Sequence, residues 1–292
     1  MFPSKSLSRR HAAAWLAAST TLAGCSAFLP STAKESPVSE SPKLQAVRLL
    51  KSIETGDAGA VAVVHPGQYT QHNLAVADGL AGFGAVLAQL PKGSARVNTV
   101  RAFQDGDHVF THTDYNFFGP KIGFDVFRFE NGRIVEHWDN LQDKPDQPNP
   151  SGRSMIDGPT EVTDLQHTQA NKAVVRAFLD DILVGGQMDR LPRYIDGERY
   201  HQHNPGIGDG LSGLGAALQA MAKAGVVMRY DRVHKVLGEG NFVLAISEGS
   251  LGGQAVAFYD LFRLQDGKLV EHWDTIEAIP ARGDWKNGNG KF

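Results

Sequence analysis

The chain has 292 residues, with 29 Lys or Arg against 32 Asp or Glu, a net charge of −3. A chain of this balance lacks the basic surplus that binding to a phosphate backbone draws on, which argues against a nucleic-acid partner. Its single cysteine excludes an intrachain disulfide.

The chain opens with Lys5, Arg9 and Arg10, followed by a largely apolar run over residues 12–23 that is too short to span a bilayer. The run ends in Leu22-Ala23-Gly24-Cys25, which resembles the lipobox of bacterial lipoproteins, where the cysteine thiol receives a diacylglyceryl group and becomes the first mature residue. The expectation is a signal peptide over residues 1–24 and export, with anchoring to the cell envelope through lipid on Cys25. Ser8-Arg9-Arg10 also resembles the start of a twin-arginine signal, with His11-Ala12 in place of the usual apolar pair, so the export route stays open. Cleavage before Cys25 leaves 26 basic against 32 acidic residues. Residues 25–42, rich in Ser and Pro, read as a solvated tether.

From residue 43 onward the sequence repeats itself. YTQHNLAVADGLAGFG, from Tyr69 to Gly84, matches YHQHNPGIGDGLSGLG, from Tyr200 to Gly215, at nine of 16 positions. FDVFRFENGRIVEHWD, from Phe124 to Asp139, matches YDLFRLQDGKLVEHWD, from Tyr259 to Asp274, at another nine of 16. Unrelated windows of this length match at about one position, so the chain holds a duplication. The boundaries read as a first domain over residues 43–142, a linker over 143–164 and a second domain over 165–292.

Each copy opens with a helix, over residues 44–54 and 171–183, where Val47, Leu50 and Ile53, or Val174, Phe178 and Ile182, recur at helical spacing. Gly56 and Gly185-Gly186 stand where C-cap glycines stop such helices. The QHN segment follows as a short strand or helix end. Asp78-Gly79 and Asp209-Gly210 read as turn and N-cap chemistry ahead of second helices over residues 80–90 and 211–224. Strands then dominate: residues 108–118 and 242–250, and the hairpin halves 124–129 and 133–139, split by Asn131-Gly132, or by Asp266-Gly267 in the second copy. Helices first and an antiparallel meander after make the class α+β.

With the opening helix, the QHN and DGL motifs and the hairpin FR-x-x-x-G-x-x-x-EHWD in place, residues 43–292 resemble the SnoaL-like branch of the NTF2-like superfamily, within it the predicted SnoaL-like aldol-condensation or polyketide-cyclase-type proteins. The resemblance takes in the NPSGRSMIDGP run from Asn149 to Pro159 and the NGNGKF run from Asn287 to Phe292. It implies two tandem cones, each a curved antiparallel sheet wrapped by helices around a pocket, and the expectation is that they pair as an intrachain pseudo-dimer. It does not fix a reaction, because the superfamily includes cyclases, isomerases, dehydratases, epoxide hydrolases and binders.

Strand alternation puts Val135, His137 and Asp139 on one face and Ile134, Glu136 and Trp138 on the other; Val270, His272 and Asp274 oppose Leu269, Glu271 and Trp273. A His and an Asp two apart on one strand suit a general base oriented by a carboxylate, which makes His137, Asp139, His272 and Asp274 the catalytic candidates. Asp125 and Asp260, on the neighbouring strand, and His72, His203 and His112 are further pocket candidates. A purely structural role for the EHWD histidines and a metal site of His72, His137 and Asp139 are the competing readings. Arg128 and Arg263 are expected to pair with Glu136 and Glu271. His112, where the second copy has Ile246, favours the first pocket; Pro205, where the first copy has Leu74, favours the second.

No Gly-rich phosphate loop, nucleophile elbow or cysteine site occurs, so no cofactor and no metal is expected. Two functions remain: a cofactor-independent cyclase, isomerase or lyase acting on a small, mostly apolar carbonyl compound, and a non-catalytic envelope module binding a small ligand or a protein. An apolar cavity with His and Asp at its base points to the first and a filled cone to the second.

Overall fold

The computed structural model describes residues 40–292, which form one compact unit. The expected signal peptide, Cys25 and all but the last three residues of the tether lie outside the described residues. No helix among the described residues is long and apolar enough to cross a membrane.

The first repeat holds α1 (Pro42–Thr55), α2 (Ala58–Val61), β1 (Thr70–Gln71), α3 (Gly79–Leu87), β2 (Arg96–Asp105), β3 (His108–Asn116), β4 (Pro120–Glu130) and β5 (Arg133–Asp143). The second holds α4 (Thr168–Phe178), a π-helical turn over Leu179–Val184, β6 (His201–Gln202), α5 (Gly210–Lys223), β7 (Met228–Glu239), β8 (Phe242–Leu251), β9 (Gln254–Gln265) and β10 (Lys268–Ala278). The two sheets share one topology, β1-β5-β4-β3-β2 and β6-β10-β9-β8-β7, with the short QH strand running parallel to the last strand in each. The fold is α+β, with two five-stranded sheets.

Local chemistry explains the elements. Ser41 Oγ accepts the Leu44 N–H at the start of α1, and Gly56, at φ +71°, closes it by donating to Ser52 O. Asn131-Gly132 and Asp266-Gly267 all have positive φ, as a two-residue hairpin turn requires. Asp78 and Asp209 precede α3 and α5 without bonding the helix N–H groups. Their carboxylates instead accept the Gln71 and Gln202 N–H, tying each helix start to the QH strand.

Two features differ from the sequence reading. Strands β2 and β7 escaped it; they are sheet edges broken by register shifts, so their alternation is weak. A bulge also falls just after each hairpin turn, at Val135 between Ile134 and Glu136 on β5 and at Val270 between Leu269 and Glu271 on β10. The extra residue reverses parity, so Ile134 and Leu269 join the helix-covered face with His137 and His272. From Glu136 to Asp139 the expected alternation holds.

The helix-covered inner faces carry separate cores: Leu49, Leu50, Val97, Val109 and Phe127 in the first repeat, and Val175, Phe178, Leu179, Val243 and Phe262 in the second. The outer faces share one. Phe103, Phe110, Phe124, Val126 and Trp138 pack with Leu237, Phe242, Leu244, Tyr259 and Trp273 in a single cluster. Asn140 Nδ2 donates to Thr275 O (2.8 Å), and the Ile276 N–H donates to Gln142 Oε1 (2.8 Å). Cations cross reciprocally, Arg101 lying 4.5 Å from the Trp273 ring and Lys235 4.2 Å from Trp138.

The expected linker is an ordered strap. Asn149 Nδ2 donates to Gln202 O and Ile207 O, and the Arg153 guanidinium forks onto the Asp209 carboxylate. After β10 a second strap does the same to the first repeat, with Asn287 Nδ2 on Asn73 O and Val76 O and Asn289 Nδ2 on Gln71 O.

Candidate functional site

In the first repeat, β4 and β5 bring Asp125, His137 and Asp139 to the inner face, β1 adds Gln71 and the loop after it adds Asn73. His137 Nδ1 lies 3.0 Å from Gln71 Oε1, which also accepts the Asn73 N–H at 2.8 Å. That oxygen is an acceptor, so Nδ1 carries the proton and donates. Nε2 lies 3.2 Å from Asp125 Oδ1 and shares one proton with it, as imidazolium and carboxylate or as imidazole and carboxylic acid. The Tyr115 hydroxyl donates to Asp125 Oδ2 (2.6 Å), and Asn73 Nδ2 donates to Asp139 Oδ2 (2.6 Å).

The partner of His137 is therefore Asp125, not Asp139 as its position on the same strand suggested. Asp125 stands directly opposite Asp139 in register and diagonally from His137, within reach of an imidazole. Asp139 is fixed by Asn73 instead.

The second repeat reproduces this. His272 Nδ1 meets Gln202 Oε1 (2.9 Å), Nε2 meets Asp260 Oδ1 (3.1 Å), and Asn204 Nδ2 donates to Asp274 Oδ2 (2.6 Å). Burial opposes the charge on His272, but the hydrogen bond to Asp260 and the charges of Asp274 and Asp260 outweigh it and hold the imidazole above its ordinary range. Burial pushes the Asp274 carboxyl up to about 6 against the pull of His272. The phenol on the aspartate arrives differently. Tyr115 on β3 faces Val97 on β2 in register, whereas the matching pair is Gly249 on β8 and Tyr230 on β7. The tyrosine has changed strands, and Tyr230 still reaches Asp260 at 3.2 Å.

The cavities differ more. The first repeat encloses a cavity of about 80 Å³ walled by apolar residues including Leu50, Ile53, Phe83, Leu87 and Phe117, with Gln71, Asn73, Tyr115, Asp125, His137 and Asp139 as its polar lining. In the second, Phe258 stacks on Tyr230 at 4.0 Å and packs with Leu183, Val256, Leu251 and Ile276. Two residues before the aspartate, Phe258 stands where the first repeat has Gly123.

His72 and His203 turn away from the cavities. His72 stacks on Trp138 and bridges Gly290 O (2.8 Å) and Glu136 Oε1 (3.0 Å). His203 stacks on Trp273 and bridges Ser154 O (2.7 Å) and Glu271 Oε1 (2.9 Å). Arg128 and Arg263 bond Glu136 and Glu271 as expected, each at 2.7 Å, and with the histidines they hold both carboxyls below the usual range despite burial. His112 is on the outer face, against Phe124 and Arg101; burial and the Arg101 charge hold it well below the ordinary imidazole range. Even-numbered positions of β3 point to the shared core, so His112 belongs to the junction of the repeats, not to the pocket. The expected grouping of His72 with His137 and Asp139 does not form.

In each repeat the three donors, Asp125, His137 and Asp139 or Asp260, His272 and Asp274, lie within 4.8 Å of one another. Each also bonds a protein partner; a histidine hydrogen-bonded to one carboxylate beside a second is an arrangement that can pass a proton, and in the first repeat it borders the apolar cavity.

Two contributors were not singled out from sequence. Gly123 against Phe258 lies just ahead of the second matching window, and extending the alignment of the repeats by one residue shows it. Lys291 is 4 % exposed, with Nζ 2.6 Å from Glu277 Oε2 and 3.7 Å from Asp139 Oδ1. No sequence signal marks it, because it reaches the first repeat from the far end of the second.

No protein-family model and no curated protein sequence matches the chain. Among solved structures, TsrD from Streptomyces laurentii is similar at 19 % identity and a TM-score of 0.30, over 35 % of this chain and 90 % of its own. An LEH-like epoxide hydrolase from M. tuberculosis is similar at 23 % identity and a TM-score of 0.30, over 38 % of this chain and 85 % of its own. A SnoaL-like polyketide cyclase from Agrobacterium tumefaciens is similar at 12 % identity and a TM-score of 0.30, over 37 % of this chain and 91 % of its own.

Proposed function

We propose that the first repeat is a cofactor-independent acid–base enzyme of the cyclase, isomerase or lyase type, acting on a small, mostly apolar carbonyl compound. The observation that carries this reading is the apolar cavity with the bonded His137–Asp125 pair and Asp139 at its polar lining. A carbonyl compound seated with its reactive carbon toward this lining loses a proton to the Asp139 carboxylate while the His137–Asp125 pair gives its shared proton to the carbonyl oxygen, and the Tyr115 and Asn73 hydrogen bonds keep both carboxylates in place. Apolar walls exclude water and strengthen these interactions.

The second repeat serves as a structural partner, its pocket filled by Phe258 and Tyr230, and the two repeats, residues 43–142 and 165–292, work as an intrachain pseudo-dimer of NTF2-like, SnoaL-like cones. The shared core and the reciprocal straps support that pairing. The LAGC run supports export and attachment to the envelope by lipid on Cys25.

The test is proton exchange. In deuterated buffer, the protein is expected to accelerate exchange of the α-protons of members of a panel of small apolar ketones, read by NMR. His137→Ala is expected to lose about 10²–10⁴-fold of that rate, and His272→Ala to retain it. Ketones that raise the melting temperature with no exchange in the parent protein would instead establish a non-catalytic binding module.

A further inference from the structure

The two clusters share the His–Gln, His–Asp and Asn–Asp hydrogen bonds but differ in what lies behind the second carboxylate. The straps align through their bonds to the QHN histidines: Gly290 O receives His72 Nδ1, and Ser154 O receives His203 Nδ1. The next residue is Lys291 in one strap and Met155 in the other. Both are buried, at 4 % and 3 % exposure. An ammonium therefore stands near Asp139 where a thioether stands in the strap serving Asp274. Asp139 Oδ1 and Asp274 Oδ1 are both buried without a hydrogen bond, so no donor offsets the cost of burial at that oxygen and a nearby charge is the available compensation.

We propose that Lys291, carried by the strap that follows the second repeat, is a positioning residue of the first pocket, whose ammonium holds Asp139 as an anion ready for proton transfer. This rests on the acid–base reading of that pocket. The first site is thereby completed by the second repeat, and the two sites are unequal by construction: one has a built-in counter-charge, and the strap of the other carries a thioether at the matching position.

The surroundings are consistent with this assignment. Besides Lys291, the ionisable groups facing Asp139 are Tyr69, Tyr115, Asp125 and His137 from the first repeat, and Tyr259 and Glu277 from β9 and β10. Glu277 anchors the ammonium: its Oε2 accepts from Lys291 Nζ and from the Leu141 N–H (3.0 Å). Burial nevertheless keeps the Glu277 carboxyl above its usual range, against the pull of Lys291. The lysine thus links a carboxyl of the second repeat to one of the first across the junction.

The experiment follows the carboxyl-carbon NMR signal of Asp139 against pH in the full chain, with Asp274 as the internal comparator. In Lys291→Met, which installs the residue of the other strap, the Asp139 transition is expected to move to higher pH than in the parent, while Asp274 stays in place. Lys291→Arg, which keeps the charge, is expected to leave Asp139 as in the parent. If Lys291→Met does not fold, Lys291→Met with Glu277→Gln removes the buried carboxylate along with its partner, and a smaller upward move is expected. An unmoved Asp139 in whichever Met variant folds, or an equal move in Lys291→Arg, overturns the proposal. The signal reports protonation without turnover, so a failed ketone-exchange assay leaves this result standing, and an unmoved Asp139 leaves the exchange assay standing.

Discussion

At the scale of residues, the same three side chains sit in two electrostatic settings. The Asp274 carboxyl is raised to about 6 because burial penalises its charge more than His272 compensates it. A folded-state value above the unfolded one means that the native protein binds the proton more tightly. The resulting stabilisation is complete below the unfolded carboxylate range and is lost as pH rises through about 6. Asp274→Asn keeps an acceptor for Asn204 Nδ2 and removes the buried charge. Its melting temperature relative to the parent is expected to rise between pH 5 and pH 8; a pH-independent difference would contradict the burial of an uncompensated charge there. The sequence named the candidate residues but paired them incorrectly. A strand places His137 and Asp139 on one face, yet the hydrogen bond is decided by side-chain reach across the hairpin, which favours Asp125.

At the scale of elements, the two inner faces differ at one matched position that carries a ring in one repeat and no side chain in the other. Phe258 and Gly123 occupy matching places on β9 and β4, both on the inner face. Phe258→Ala is expected to cost about 3–5 kcal/mol in chemical denaturation, as deletion of a buried ring does, and to admit small apolar ligands to the second repeat, read as a ligand-dependent rise in melting temperature absent from the parent. Gly123→Phe has little room: a Cβ there lies 2.5 Å from Leu141 Cδ2 and 3.0 Å from the Tyr115 ring. The helix and hairpin elements were legible because caps, Asn-Gly and Asp-Gly turns and helical spacing are local signals. The edge strands β2 and β7 were not, since bulges interrupt the alternation that marks a strand, and the bulge after each turn misplaced Ile134 and Leu269 for the same reason.

At the scale of the whole molecule, the repeats form one cooperative body. Thirteen buried side chains from both sheets make a single cluster, with Arg101 and Lys235 crossing to the opposite tryptophans. Arg101 also donates to the carbonyls of Ile156, Asp157 and Pro159, fastening the first strap, and burial lowers it to about 10 despite the Glu271 and Asp157 charges. Urea unfolding of the full chain is expected to follow one transition by both fluorescence and circular dichroism. Residues 40–142 expressed alone would expose Phe103, Phe110, Phe124, Val126 and Trp138 together and are expected to self-associate. Two separated transitions, or a monomeric first repeat, would show the repeats to be independent.

The sequence by itself determined the duplication, the α+β class, the helix caps and hairpin turns, and the candidate set of His and Asp side chains. All of these follow from local pattern or from comparing one half with the other. Tertiary structure decided which carboxylate serves which imidazole, that His72, His203 and His112 face away from the cavities, that Phe258 packs on Tyr230 in the second repeat, and that Lys291 reaches the first pocket from the opposite repeat. The reason is physical: each of these depends on which atoms meet across strands or straps far apart in the chain, and periodicity records a residue's face but not its partner.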